Sequence, residues 1–223
     1  LGDARIENLA SLQRAGIVAP LTLVRSPMVS QVDVVVRVAQ VSHNTEPVVL
    51  EALSAAASEF GRRHSVVLMV ELGDLREGLA AADVAEVAGL VGSLRGLVVA
   101  GVGTNLACQS GVVPDQAKMD QLSGLAEEVE AACGHELSTV SGGNSASLRW
   151  ALTTDDVGRI DELRLGEAIL LGLDPLDRRP IDGLRCDVFQ VVAEVIEVKT
   201  KPSQPWGQLG QTAFGHPMGD ESP

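Results

Sequence analysis

The chain has 223 residues, 45% of them apolar, enough for one generous domain with a proper core or one domain plus part of another. Thirty Asp and Glu against 17 Lys and Arg leave a formal net charge of −13, which repels a phosphate backbone and excludes nucleic acid as an expected partner. Apolar runs such as Ser65–Val70 and Gly96–Val102 fall far short of the roughly 18 residues that span a bilayer, so no membrane partner is expected. Three cysteines, Cys108, Cys133 and Cys186, share no metal-type spacing and suit a reducing cytoplasm. Leu1 opens the chain with neither an initiator Met nor a signal pattern, as expected of an internal piece of something longer.

In chain order, short apolar strands alternate with helical patterns. An opening strand near Leu1 precedes Leu21–Val24, a strand set between Pro20 and the Ser26-Pro27 turn. Val38–Ser42 is a weaker strand, and Glu46–Phe60 carries Val49, Leu50, Leu53, Ala57 and Phe60 at helical spacing. Ser65–Leu72 is the clearest buried strand. A helix over Ala82–Leu94, a strand over Leu97–Thr104 and a helix over Pro114–Cys133 with Gly134 as a left-handed cap follow. Glu136–Ser141 and Asp161–Leu165 complete seven strands before Pro180. Repeated β-then-α units imply a parallel sheet, and the missing G-x-G-x-x-G turn favours a barrel over a doubly wound dinucleotide fold. The expected fold is α/β: a (β/α)8 TIM-type barrel over residues 1–182 lacking its first strand. The start of a C-terminal β domain follows over 183–223, opening with an alternating strand, Cys186–Thr200, and a Pro/Gln/Gly-rich segment, Lys201–Gly215.

Several strand ends carry residues suited to chemistry. Ser141-Gly142-Gly143-Asn144-Ser145 follows a strand and opens a helix, so backbone N–H groups and two hydroxyls point at one phosphate-sized volume; a plain glycine turn capped by Ser145 is the bland alternative. Arg164-Leu165-Gly166-Glu167 ends the next strand, and barrels of this type bind phosphate in the loops after strands seven and eight. Glu71 to Gly78 closes the strongest strand with four charges, and Thr104-Asn105-Leu106-Ala107-Cys108 ends another; Cys108 reads as a nucleophile, a proton-transfer group or a small buried hydrophobe. The histidines His43, His64, His135 and His216 share no ligand spacing, so no metal is expected.

Taken in order, these segments resemble the pyridoxal-phosphate-dependent amino-acid racemases of the alanine racemase family, in particular the ornithine/alanine racemase group. Gly2–Asn8 is similar to the second barrel strand with its glutamate, and His43-Asn44-Thr45 to the end of the fourth. Glu71–Gly78 is similar to D-T-G-M-x-R-x-G, Thr104–Ala107 to T-H-F-A, Ser141–Ala146 to the A-N-S-A phosphate loop, and Arg164–Glu167 to R-P-G-I. The resemblance implies pyridoxal 5'-phosphate as cofactor, a free amino acid of the alanine or ornithine type as substrate, and a cytoplasmic homodimer. It implies Arg76 facing the phenolic oxygen, Asn105 against the ring, Arg164 at the pyridine nitrogen, and Ser141, Gly143, Asn144, Ser145, Gly166 and Glu167 around the cofactor. Three departures follow. The Schiff-base lysine of the family has no counterpart here, because the lysines are Lys118, Lys199 and Lys201; there is no tyrosine to act as second acid/base; and Met69 stands where some relatives carry a modified lysine. The chain alone is therefore expected to be weakly active or inactive. A non-catalytic pyridoxal-phosphate homeostasis protein, which shares the barrel and stops there, is the alternative, with a phosphate-sugar barrel enzyme a distant third.

Overall fold

The computed structural model describes residues 1–211 and divides into a compact unit, Leu1–Phe189, and a second unit beginning at Gln190. In the first unit seven strands, β1 (Gly2–Asp3), β2 (Thr22–Leu23), β3 (Val41–Asn44), β4 (His64–Val70), β5 (Leu97–Thr104), β6 (Thr139–Asn144) and β7 (Glu162–Arg164), lie side by side in sequence order. Each pairs with the next in parallel. Helices α1 (Ile6–Arg14), α2 (Val32–Val38), α3 (Pro47–Glu59), α4 (Val84–Ser93), α5 (Gln116–Cys133) and α6 (Leu148–Thr153) make the crossovers, and α7 (Glu167–Leu171) follows β7. A doubly wound sheet reverses its strand order at a switch point; strictly sequential order instead curls the sheet toward closure, giving a TIM-type barrel with no pairing between β1 and β7.

The strands sort their side chains by parity. Val66, Leu68 and Val70 of β4 join the core beneath the helices, whereas Val67 and Met69, equally buried, line the barrel interior. Register carries this across the sheet: His43 pairs with Val67, Met69 with Gly103, and Gly103 with Ser141, so these residues share the inner row. The helix-facing layer is aliphatic, with Leu9, Leu50, Leu53, Val84, Leu122 and Val129 all buried against the sheet. Pro47 in the first turn of α3 uses a position where no N–H is needed. Asp115 caps α5 by accepting the Lys118 amide at 2.9 Å, and Gly134 ends it in the left-handed conformation at φ 75°.

Four expectations change. Gly2–Asn8 is not one strand: the Asp3 carboxylate accepts the Arg5 amide at 2.7 Å and the Asn8 side chain at 3.1 Å, turning the chain out of the sheet, and Glu7 lies on α1. The strand placed at Val38–Ser42 begins at Val41, because the valine-rich segment before it is a helix that buries Val32, Val35, Val36 and Val38. Tertiary packing here overrides β propensity. Strand β6 runs three residues past Ser141, so Gly142 and Gly143 belong to the strand rather than to a turn. Cys186–Thr200 forms no strand; Val191 and Ile196 are almost fully exposed, and without a neighbouring ladder their alternation has nothing to pair with. Residues 212–215 of the Pro/Gln/Gly-rich segment, and His216, lie outside the described residues. Among the described residues no helix is long and apolar enough to cross a membrane.

Candidate active site

The C-terminal ends of β4 to β7 bring four loops together. Arg164, at the end of β7, turns into the inner row, where a Cβ on Gly103 would stand 3.4 Å from its Nη1 and 3.1 Å from the Cβ of Ser141. Its guanidinium donates to the Thr104 carbonyl at 2.6 Å, to Asn105 Oδ1 at 2.7 Å and to Ser141 Oγ; the Ser141 hydroxyl in turn donates to Glu162 Oε1 at 2.7 Å. Burial lowers the Arg164 pKa to about 10, with Glu162 opposing and Arg76 reinforcing the shift, so it remains a cation at neutral pH. Small residues make this possible: glycine at 103 and serine at 141 leave the space that the guanidinium occupies.

Arg76 reaches the same mouth from the loop after β4. Its Nη1 donates to Cys108 Sγ, and its Nε pairs with Glu77 at 3.0 Å. Because Arg76 holds Cys108 and its charge is felt at Arg164, the two arginines and the thiol share one end of the barrel. Asn105 and Cys108 are thus held by different arginines, Arg164 and Arg76, at the two ends of a four-residue stretch.

The loops after β6 and β7 meet at Ser145, whose Oγ accepts the Gly166 amide at 3.2 Å and the Ala168 amide at 3.1 Å. Asn144 braces the turn, accepting the Ala146 amide at 2.9 Å and donating to the Leu106 carbonyl at 2.9 Å. Gly143 sits at φ 113°, a conformation that suits glycine, and a Cβ there would stand 2.6 Å from Ser147 Oγ, a buried hydroxyl without a hydrogen-bond partner. Of the residues singled out from sequence, Glu167 points elsewhere: its carboxylate pairs with Arg178 at the surface. A cavity of about 530 Å³ beside α6, lined by Leu148, Arg149, Leu152 and Ile181, shares Ser145 with the loops described above.

Sequence reading missed two residues. His43, 3% exposed on the inner row of β3, has its pKa lowered to about 3, first by burial and then by the Arg164 charge, and is neutral at pH 7. Its inward parity was the available signal. Asp74, fully buried, accepts the backbone amides of Cys108, Gln109, Ser110 and Val112 at 2.7 to 3.2 Å. Burial raises its pKa, but the four amides outweigh that and hold the carboxyl ionised below its ordinary range. Nothing in sequence marks it, since its partners lie over 30 residues away.

The sequence profile described as alanine racemase, N-terminal domain, matches residues 1–175. The chain belongs to that family. It is 38% identical over 215 residues to the ornithine racemase of Acetoanaerobium sticklandii and 37% identical over 216 residues to the lysine racemase of Thermotoga maritima. In both cases 96% of this chain is matched, and it spans 60% of the relative's length. Among solved structures, the alanine racemase of Streptomyces lavendulae superposes with a TM-score of 0.64 at 22% identity, covering 81% of this chain and 49% of that one. PipY of Synechococcus elongatus, solved with pyridoxal phosphate bound, superposes at 0.61 and 18% identity, covering 74% of this chain and 78% of that one. These likenesses confirm the barrel.

Proposed function

We propose that the chain forms the cofactor-binding barrel of a pyridoxal-phosphate-dependent amino-acid racemase whose substrate is a free amino acid of the ornithine, lysine or alanine type. The observation that carries this reading is the half-buried Arg164 cation, fixed by Thr104, Asn105 and Ser141 beside the Ser145 turn. The residues present suit the two ends of the cofactor. A phosphate would take the Ser145 hydroxyl and the amides that converge on it, and the positive φ and crowded Cβ position of Gly143 keep side-chain atoms out of that turn. Arg164 facing the ring nitrogen would keep that nitrogen unprotonated, because two cations would otherwise meet at low dielectric. Arg76 would donate to the phenolic oxygen, and Asn105, accepting from Arg164, would fix that guanidinium's orientation.

Bound there, pyridoxal phosphate supplies an electron sink for the pair left behind when an α-proton departs. The chain's own part is to bind, orient and exclude water. Its lysines are engaged with carboxylates: Lys118 is ion-paired with Asp115 at the start of α5, and within the second unit Lys199 and Lys201 pair with Glu197. In this reading the chain alone adds little rate, the second acid/base comes from elsewhere in a cytoplasmic homodimer, and the three free thiols suit that compartment. Identity of 37–38% to two racemases over nearly the whole chain supports this over the homeostasis alternative.

Chemical rescue tests it. With pyridoxal phosphate and methylamine in place of the absent ε-amine, ornithine, lysine or alanine in heavy water should gain α-deuterium faster with the chain than without it. Arg164→Ala should abolish the difference, while Ser145→Ala should weaken cofactor binding about tenfold through one lost charge-assisted hydrogen bond. No amine-dependent exchange with any of the three amino acids would overturn the reading.

A further inference from the structure

Arg76, Asn105 and Cys108 lie on two loops that no strand pairing joins, yet the spacing between them is closely set. The loop after β5 leaves the sheet at Thr104 and returns as α5 at Gln116. Within it the single backbone bond that closes the turn runs from the Ala107 amide to the Val112 carbonyl at 2.9 Å. Gln109, Ser110 and Gly111 are exposed, and the apolar packing of the loop is confined to Leu106, Val112 and Pro114. Its conformation is nevertheless costly: Ala107 adopts φ 48°, and across from it Leu75 adopts φ 58°, each on the order of 1–3 kcal/mol above an ordinary backbone. Some stronger interaction must hold both.

That interaction is the carboxylate of Asp74. Both of its oxygens are used, Oδ2 by the amides of Cys108 and Gln109 and Oδ1 by those of Ser110 and Val112, and none of it is exposed. Leu75 in its left-handed conformation separates Asp74 from Arg76, so one short segment delivers an anion to the backbone of Cys108 and a cation to its sulfur. Cys108 is gripped from both sides. At the other end of the stretch Asn105 accepts from Arg164 and the Leu106 carbonyl accepts from Asn144.

We propose that Asp74 is a positioning residue: its buried carboxylate templates the loop over residues 105–112, and thereby sets Asn105 against Arg164 and Cys108 against Arg76 at the mouth of the barrel. Only the statement that this mouth takes pyridoxal phosphate rests on the functional reading above; the templating stands on the geometry. Glu71 acts within its own segment, its Oε1 accepting the Gly73 and Leu75 amides, so it shapes the turn that carries Asp74 without touching the second loop.

Amide hydrogen exchange of the whole chain tests this without any substitution. The amides of Cys108, Gln109, Ser110 and Val112 should be protected despite lying in an exposed loop, while that of Gly111, which has no acceptor among the described residues, should exchange freely. Exchange of all five at free-loop rates would overturn the proposal. In Asp74→Asn, exchange of those four amides should rise at least about tenfold, the size expected for losing a charged acceptor, with no matching rise in β4 or α5. Iodoacetamide should then alkylate Cys108 several-fold faster relative to Cys186 in the same molecule. A folded variant with unchanged exchange and alkylation, or one whose β4 and α5 amides loosen equally, would reject a positioning role. Pyridoxal phosphate should slow alkylation of Cys108 in the unsubstituted chain and do so less in Asp74→Asn. Absence of slowing in the unsubstituted chain would overturn the cofactor reading and leave the exchange result to decide on the loop.

Discussion

Single residues in this barrel are tuned by burial before they are tuned by partners. His64, at the start of β4 and 1% exposed, has its pKa lowered to about 4 by burial, against the opposing hydrogen bond to the Ala39 carbonyl. With one ring nitrogen donating there, Nε2 accepts from the Ser42 hydroxyl at 2.8 Å. Between pH 6.5 and about 4 the unfolded chain binds a proton at this site that the folded chain does not. The associated stability is full above pH 6.5 and falls by about 1.4 kcal/mol per pH unit as the pH drops toward 4. Urea midpoints measured across that window should therefore decline more steeply for the unsubstituted chain than for His64→Gln. Parallel pH profiles would show that His64 charges without cost. His43 on the inner row differs in its neighbour: the Arg164 cation adds to burial, so a neutral imidazole and a permanent cation share the interior without repulsion.

At the scale of elements, glycine marks where strands approach and where helices merely tolerate it. In β5 a Cβ at Gly101 would meet the Thr139 carbonyl oxygen of β6 at 2.2 Å, and backbone cannot swing aside as a side chain can. Gly101→Ala should cost about 1–3 kcal/mol, the range of overpacking in a tight core. On α4, by contrast, Gly89 is exposed with nothing near its Cβ position, so Gly89→Ala should add about 0.5–1 kcal/mol by removing backbone freedom from the unfolded chain. Denaturant titration of the two variants checks both signs at once, and the same sign for both would contradict the packing argument. The β6 extension belongs to this scale too. By continuing to Asn144 the strand carries Ser141 onto the inner row and delivers Ser145 directly to the β7 loop.

For the whole molecule the lysine inventory is decisive. Three lysines serve 223 residues, and each carries an ion pair: Lys118 with Asp115, and Lys199 and Lys201 with Glu197. An imine-forming lysine must present a free amine to the aldehyde, whereas each of these ε-amino groups is engaged by a carboxylate. Borohydride reduction of the chain with pyridoxal phosphate, followed by peptide mass spectrometry, should leave no stoichiometric pyridoxyl label on any of the three. Full labelling of one would place the covalent anchor inside this chain and overturn the account of how the cofactor is held.

The order of the strands, the barrel they build and the family of the chain were already determined by sequence. Each depends on local signals: apolar runs such as His64–Val70, glycine and proline punctuation, and short motifs at strand ends that keep their order. The helix at Val32–Val38 was not legible, because five valines in seven residues favour a strand until burial against neighbouring helices outweighs that preference. The alternation in Cys186–Thr200 misled for the complementary reason, since a pattern describes a strand only where another strand receives it. Only the tertiary structure decided what the site residues touch. Arg76 meets Cys108 across 32 positions and Arg164 meets Asn105 across 59, and Asp74 finds four amides on a distant loop. Motifs name the residues at each strand end, but hydrogen bonds between loops have no periodicity along the chain, so their partners emerge when barrel curvature brings the strand ends to one mouth.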